Sequence, residues 1–264
     1  VAKKQKKIPL FQRNMDSKPI RNRVLIATPT LGNVRMEWAT ARWSQVVPCN
    51  WSCGFQNVLA TQTFPIGYRV AEAQNIAVQN AVMNNFEWLF LHEDDVILPP
   101  DCYSKLNVYM KSGDVPIISG LYYLKANPTE PIAYRGRGNG CFDKFKIGEK
   151  VWVDGVPTGC LMIHSSILKL MYQEAEVYNA VQGTQVKRVF HTPSEIYQDP
   201  ETGLYRSLSG TSDLWWCDQI MKNDVLKRAG WGKLSKQKYP FLLDTSIFCR
   251  HIDFSSGVQY PIGV

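Results

Sequence analysis

Short apolar runs rich in β-branched residues alternate along this chain with longer stretches whose apolar residues recur at helical spacing. The run Arg23-Val-Leu-Ile-Ala-Thr28, closing on Thr28-Pro29-Thr30-Leu31-Gly32, predicts a buried strand that enters a loop. Met36, Ala39 and Trp43 predict a helix between Arg35 and Gln45, stopped before Pro48. Asn57 to Thr63 alternates as a second strand. Val70, Ala73, Ile76, Ala77 and Ala81 predict a helix over Tyr68 to Asn84. The apolar run Glu87-Trp-Leu-Phe-Leu91 then predicts a strand, followed directly by His92-Glu93-Asp94-Asp95.

Beyond Pro99-Pro100 a helix is expected from Asp101 to Lys111, and a strand from Ile117 to Leu124. Asn127 to Glu149 is rich in Gly, Pro and charge and reads as loop or hairpin. Val151 to Asp154 and Thr158 to His164 are strand-like, and Ser165 to Tyr172 begins a helix with Ser at its cap. Tyr178 to Ser209 reads as an irregular acceptor-side or lid loop. Asp213 to Gly230 is expected to be helical and closed by Gly, and Phe241 to Phe248 is the last strand, followed by Arg250-His251. Strand, helix, strand with polar residues at the strand ends is the pattern of an open α/β sheet, which binds ligands at those ends.

Composition narrows the class. The 264 residues are 45% hydrophobic and 20% charged, the mix of a soluble globular chain able to bury a core without disulfides. No run approaches the roughly 18 apolar residues of a membrane span, and the basic N-terminus lacks a signal-peptide core. Seven cysteines are an odd set. Cys160 and Cys249 lie in apolar runs and read as buried, and Cys49 and Cys53 have no second pair at zinc-finger spacing. A reducing compartment fits, and the expected location is cytoplasmic.

The net charge of +7 is unevenly spread. Lys3, Lys4, Lys6, Lys7, Arg13, Lys18, Arg21 and Arg23 crowd the start; Lys222, Lys227, Arg228, Lys233, Lys236 and Lys238 form a second cluster. Such clusters suit a polyanionic partner, and equally a solvated tail and helix face. Residues 1–20 read as a basic arm outside the core.

The chemistry concentrates in Glu93-Asp94-Asp95. Three consecutive carboxylates at a strand end repel one another, more so as they are desolvated, and a hard divalent cation bridging phosphate oxygens would compensate. An acidic turn is also ordinary loop chemistry.

In this setting the chain resembles the GT-A glycosyltransferases, especially family-2-like enzymes. The matches run in consistent order from about residue 23 to 253. Val24-Leu-Ile-Ala-Thr28-Pro29 is similar to their first strand and nucleotide loop. Arg69-Val-Ala-Glu-Ala-Gln-Asn75 is similar to the helix before the metal strand, and Trp88 to Pro100 to the strand and DxD-type motif. Val153 to Ile163 is similar to the acceptor-side strand. Ser212-Asp213 stands where a Glu-Asp pair is usual, and Cys249-Arg250-His251 where a late metal-binding His is found.

The resemblance implies an α/β fold of GT-A type: a single domain with a Rossmann-like, mixed and mainly parallel sheet flanked by helices. That domain would span 21–264, with a nucleotide-sugar half (21–125) and an acceptor half (126–264). The implied activity is transfer of sugar from a nucleotide-sugar, a UDP-sugar in the first instance, to an acceptor hydroxyl. Asp95 and His251 would hold the metal, Mn²⁺ or Mg²⁺; imidazole suits Mn²⁺ better. Thr28, Pro29, Arg69, Asn75, Glu93 and Asp94 would line the donor site. Asp213 would be the base of an inverting transfer, and Trp215, Trp216 and Tyr122 would face the acceptor, aromatic rings being good sugar-stacking surfaces.

Two other readings stay open on the sequence. A sugar nucleotidyltransferase would want a Gly-rich, basic loop after the first strand, where Thr30-Leu31-Gly32-Asn33 has one Gly and no Lys. A non-catalytic carbohydrate- or nucleic-acid-binding module accounts for the basic clusters and aromatics but leaves the acidic triad idle. A modified base in DNA is one concrete acceptor; protein, lipid-linked sugar and cell-wall polymer are others.

Overall fold

The computed structural model describes residues 24–51, 62–136 and 140–263. The basic arm, Cys53 and most of the predicted Asn57–Thr63 strand lie outside the described residues.

In chain order the elements are β1 (Val24–Ala27), α1 (Met36–Trp43), β2 (Gln62–Thr63), α2 (Val70–Met83), β3 (Trp88–His92), β4 (Val96–Ile97) and α3 (Cys102–Ser112). β5 (Ile117–Leu121), β6 (Lys150–Val153), β7 (Cys160–His164), α4 (Ser165–Glu174), β8 (Val177–Asn179) and β9 (Gln185–Lys187) follow. The chain continues through β10 (Ser194–Gln198), β11 (Tyr205–Ser209), α5 (Ser212–Lys222), α6 (Val225–Arg228), β12 (Phe241–Phe248), β13 (Arg250–Ile252) and β14 (Gln259–Tyr260).

A seven-stranded sheet of order β2-β1-β3-β7-β5-β12-β6 organises the molecule. It draws strands from both expected halves of the chain. β2, β1 and β3 run parallel, as do β5 and β12, while β7 lies antiparallel between β3 and β5, and β6 antiparallel to β12. The sheet is therefore mixed, with as many antiparallel as parallel pairings rather than the mainly parallel arrangement expected.

The continuous apolar runs have a simple cause: both faces of the sheet are covered. Leu25, Ala27, Leu89, Leu91, Leu161 and Ile163 point to one side, where α2, α4 and α5 supply Ala77, Ala81, Ile167, Leu168, Trp216 and Ile220. Val24, Ile26, Trp88, Phe90 and Met162 point to the other, against Cys102, Tyr103, Leu106 and Met110 of α3. Cys160 and Cys249 are fully buried on that second side, as their apolar settings predict.

Four local expectations need correction. His164, not Ser165, caps α4, its Nδ1 accepting from Ser166 N at 3.2 Å. Tyr178–Ser209 is not irregular throughout, since it holds the hairpins β8–β9 and β10–β11. The helix predicted over Asp213–Gly230 is broken by Asp224, whose φ of +50° leaves the helical region. Strand β5 stops at Leu121, because Tyr122 turns into a loop: Ile132 N donates to Tyr122 O and Leu124 N to Glu130 O. That loop delivers Lys125 to the candidate site.

Candidate active site

The chain leaves β1 towards β2 on one side and returns through α2 to β3 on the other. The strand order reverses there, and the carboxyl ends of β1 and β3 open onto a common crevice, the usual ligand site of an open α/β sheet. Thr28-Pro29-Thr30 leaves β1 at that crevice, and Glu93-Asp94-Asp95 leaves β3.

The acidic turn is tightly built. Val96 N donates to Glu93 O at 3.2 Å, closing a turn over Glu93–Val96, and Glu93 N donates to Gly159 O at 3.1 Å. Buried Trp38, on α1, donates its indole N–H to Glu93 O at 2.8 Å. His92 Nε2 bonds Val96 O at 2.6 Å, and full burial holds this imidazole neutral, at about 3. The carboxylates are thus mounted on a rigid base.

Antiparallel pairing of β13 with β4 sets His251 opposite Val96, and Ile252 N donates to Asp95 O at 2.8 Å. This register brings two residues 156 positions apart into contact: His251 Nε2 lies 3.1 Å from Asp95 Oδ2. Tyr123 O, which can only accept, lies 2.9 Å from His251 Nδ1, so Nδ1 carries a proton. The same Asp95 oxygen is met by Lys125 Nζ at 2.5 Å. Burial alone would raise the Asp95 carboxyl, but hydrogen bonds and charges from His251 and Lys125 outweigh it and hold it at about 2.

Glu93 behaves oppositely. Burial first, then the charges of Asp95, Asp213 and Asp94, push its carboxyl up to about 8, against the bond it accepts from Thr158 Oγ1 at 2.8 Å. Thr158 is itself held by Gln74 Nε2 at 3.0 Å, so α2 positions Glu93 through one hydroxyl. Asp94 is raised by burial and opposed by a hydrogen bond from Thr30.

Asp213 stands in the first turn of α5, partly buried, with Leu214 N donating to Oδ1 at 2.8 Å. Burial raises its carboxyl in spite of hydrogen bonds from Thr211 and the helix backbone. Its charge is felt by Glu93, Tyr122 and Tyr134, which places it near the acidic turn.

The structure thus brings together Glu93, Asp94, Asp95, His251 and Asp213. Other expected site residues are placed elsewhere. Thr28 and Pro29 are buried in the strand end, Thr28 N bonded to Thr63 O, and it is Thr30 that meets the acidic turn. Asn75 is fully buried and spent on structure: Oδ1 accepts from Val189 N and Phe190 N, and Nδ2 donates to Tyr178 Oη and Phe190 O. It locks α2 to the segment after β9 and does not line a nucleotide site. Arg69 stands exposed at the N-cap of α2, its N–H donating to Glu72 Oε2.

Of the aromatics, Trp216 is fully buried between Phe190 and Phe241 and cannot meet an acceptor. The helical period forces that, since its neighbour Trp215 takes the more open side, with its edge to His191. Tyr122 is buried too: its hydroxyl accepts from Gly159 N at 2.9 Å and its ring lies edge-on to His251, so it buttresses the His instead of facing an acceptor.

No protein-family model and no curated protein matches the chain. Among solved structures, the crystal structure of A197 from STIV is similar at 17% identity, covering 88% of this chain and 86% of that chain, with a TM-score of 0.50. That likeness shows a shared fold.

Lys125, Thr158, Thr30 and Trp38 were not singled out by sequence. Thr158 and Thr30 sat inside segments already read as strand end and loop, and Lys125 had no motif at all. Among the described residues, no set of three or more His, Cys, Asp or Glu is arranged to hold a metal. Asp95 and His251 supply two donors with a carbonyl behind the imidazole. Two protein donors fit a cation whose shell is completed by substrate phosphates and water, as is usual where the substrate is a nucleotide.

Proposed function

We propose that this chain is a metal-dependent glycosyltransferase of GT-A type that transfers sugar from a nucleoside diphosphate sugar, in the first instance a UDP-sugar, to an acceptor hydroxyl. The observation that carries this reading is the meeting of Asp95 with His251 at the switch point of the sheet, with Asp213 nearby. A divalent cation held by Asp95 and His251 would neutralise charge developing on the departing diphosphate. Asp213, raised by burial, is a stronger base than an exposed aspartate and takes the proton of the attacking hydroxyl. Glu93, held by Thr158 and raised by burial, stands beside these groups at the crevice. Trp215 at the helix start is the aromatic surface best placed for an acceptor.

The deciding experiment measures nucleotide release from UDP-, GDP- and TDP-sugars with Mn²⁺ and with EDTA. Slow Mn²⁺-dependent release from one donor is expected, abolished in Asp95→Ala. Asp213→Asn should bind donor normally and lose transfer by about 10²–10⁴-fold, the range for one general base. Absence of release from every donor, with no Mn²⁺-dependent nucleotide binding, would leave a binding module as the reading.

A further inference from the structure

The Lys125–Asp95 contact has a consequence for how the site fills, and it rests on the reading above. Lys125 Nζ and His251 Nε2 both approach Asp95 Oδ2, at 2.5 and 3.1 Å. About a quarter of each side chain in the Lys125–Asp95 pair is exposed, so the pair is largely shielded from water. A divalent cation binds a carboxylate oxygen at about 2.0–2.2 Å. An ammonium and a divalent ion cannot share that oxygen at such distances without strong repulsion. A cation that takes this oxygen together with His251 must therefore move the ammonium.

Where it goes is limited by its mounting. The backbone around Lys125 is pinned by Leu124 N to Glu130 O at 2.8 Å and by Thr129 Oγ1 to Leu124 O at 2.9 Å. Any movement of Lys125 is therefore confined to its side chain. The charges around it are Asp94 and Asp253, both of which feel Lys125, with Arg35 beside Asp253. Arg35 is already committed to Glu37 and to Phe254 O, whereas Lys125 reaches the acidic turn directly. A partly buried ammonium that has lost its carboxylate is costly unless another anion takes its place.

We propose that Lys125 is a diphosphate-binding residue held in reserve on Asp95: the divalent cation displaces it, and the freed ammonium pairs with a phosphate oxygen of the nucleoside diphosphate. The carboxylate of Asp95 is neutralised throughout, first by Lys125 and then by the cation. Cation alone and diphosphate alone each bind against this ion pair, and together each removes the other's cost, so the two ligands bind cooperatively.

The test follows Mn²⁺ binding by the electron paramagnetic resonance of the free ion, and UDP binding by calorimetry with saturating Mn²⁺ and with EDTA. Wild type, Lys125→Met, Lys125→Arg and Asp95→Ala are compared, with circular dichroism verifying the fold. Lys125→Met is expected to bind Mn²⁺ alone about 2–5-fold tighter, because a competing ion pair is gone. It should bind UDP with Mn²⁺ about tenfold or more weakly, because a charge-assisted hydrogen bond is gone. Lys125→Arg should restore most UDP affinity. Opposite shifts are what a merely structural lysine would not give. Unchanged affinities in Lys125→Met, or both falling together, would overturn the exchange. If wild type binds neither ligand, or Asp95→Ala binds both as well as wild type, the glycosyltransferase reading itself fails, and the Lys125 proposal with it.

Discussion

Glu93 and Asp95 are two positions apart on one turn, yet their carboxyls are shifted in opposite directions, Glu93 up to about 8 and Asp95 down to about 2. Burial raises both, but contacts with Lys125 and His251 outweigh it at Asp95, whereas Glu93 has one hydroxyl and three carboxylates around it. Against an ordinary value of 4.5, the folded protein keeps a proton on Glu93 that the unfolded chain releases. Between pH 4.5 and 8 folding therefore weakens as pH rises, and the whole cost is present above 8. Asp95 has the opposite sign: its contribution is present above its ordinary 3.8 and is lost as pH falls towards 2. Glu93→Gln keeps the acceptor for Thr158 and removes the charge. In EDTA it should melt with wild type at pH 4 and be more stable by about 1–3 kcal/mol at pH 8.5, the sign expected when a strained site residue is relaxed. Thermal melts at both pH values check it; curves that stay parallel would show that Glu93 carries no such cost. At this scale the sequence singled out Asp95, His251 and Asp213, which the structure brings close together from the turn after β3, from β13 and from the first turn of α5. It misplaced Asn75, Trp216 and Tyr122, because an amide that satisfies backbone groups or an aromatic in a core looks no different in sequence from one facing a ligand.

At the scale of elements, the site depends on how closely β7 approaches the acidic turn. Gly159, just before β7, donates its N–H to Tyr122 Oη and accepts from Glu93 N, so it ties the two neighbouring strand ends together. A Cβ there would lie 2.5 Å from Tyr122 Oη and 2.6 Å from Val96 Cγ2, in space already filled on both sides. Gly159→Ala must push apart Tyr122, which buttresses His251, and Val96, which pairs with it. A loss of about 1–3 kcal/mol in stability is expected from overpacking, with a further drop in Mn²⁺ affinity as Asp95 and His251 separate. Urea unfolding and Mn²⁺ titration check the two effects, and unchanged metal affinity would mean that the strand ends move as one body. Most strands and helices around this point were legible, since β1, β3 and β7 are unbroken apolar runs and α2 keeps its period. The antiparallel insertion of β7 between β3 and β5 was not, because an apolar run buried on both faces has no direction. Nor was the Lys125 loop, whose placement comes from tertiary hydrogen bonds between Tyr122–Leu124 and Glu130–Ile132.

For the molecule as a whole, charge is arranged in two opposing ways. The crevice gathers Glu93, Asp94, Asp95 and Asp213, while the chain carries +7 overall with a pI near 9.0. A polyanionic acceptor would be repelled by the crevice unless Lys125, His251 and a bound cation offset it, and would be attracted by lysines and arginines elsewhere. Among the described residues, no helix is long and apolar enough to cross a membrane. Lys3, Lys4, Lys6, Lys7, Arg13 and Lys18 are the densest positive stretch. If they hold nucleic acid, each phosphate they neutralise releases a counterion, and log affinity falls with log salt by about 0.9 per contact. Duplex DNA binding, followed by fluorescence anisotropy between 50 and 200 mM salt, should therefore weaken steeply for the full chain. Removal of residues 1–20 should lower affinity at 50 mM and flatten the salt slope by several units, while UDP binding, which depends on the crevice, stays as it was. A salt slope that the truncation leaves unchanged would assign the binding to the second basic cluster, from Lys222 to Lys238. Affinity that ignores salt altogether would remove polyanions from the acceptor list and turn the search towards neutral glycans or protein hydroxyls.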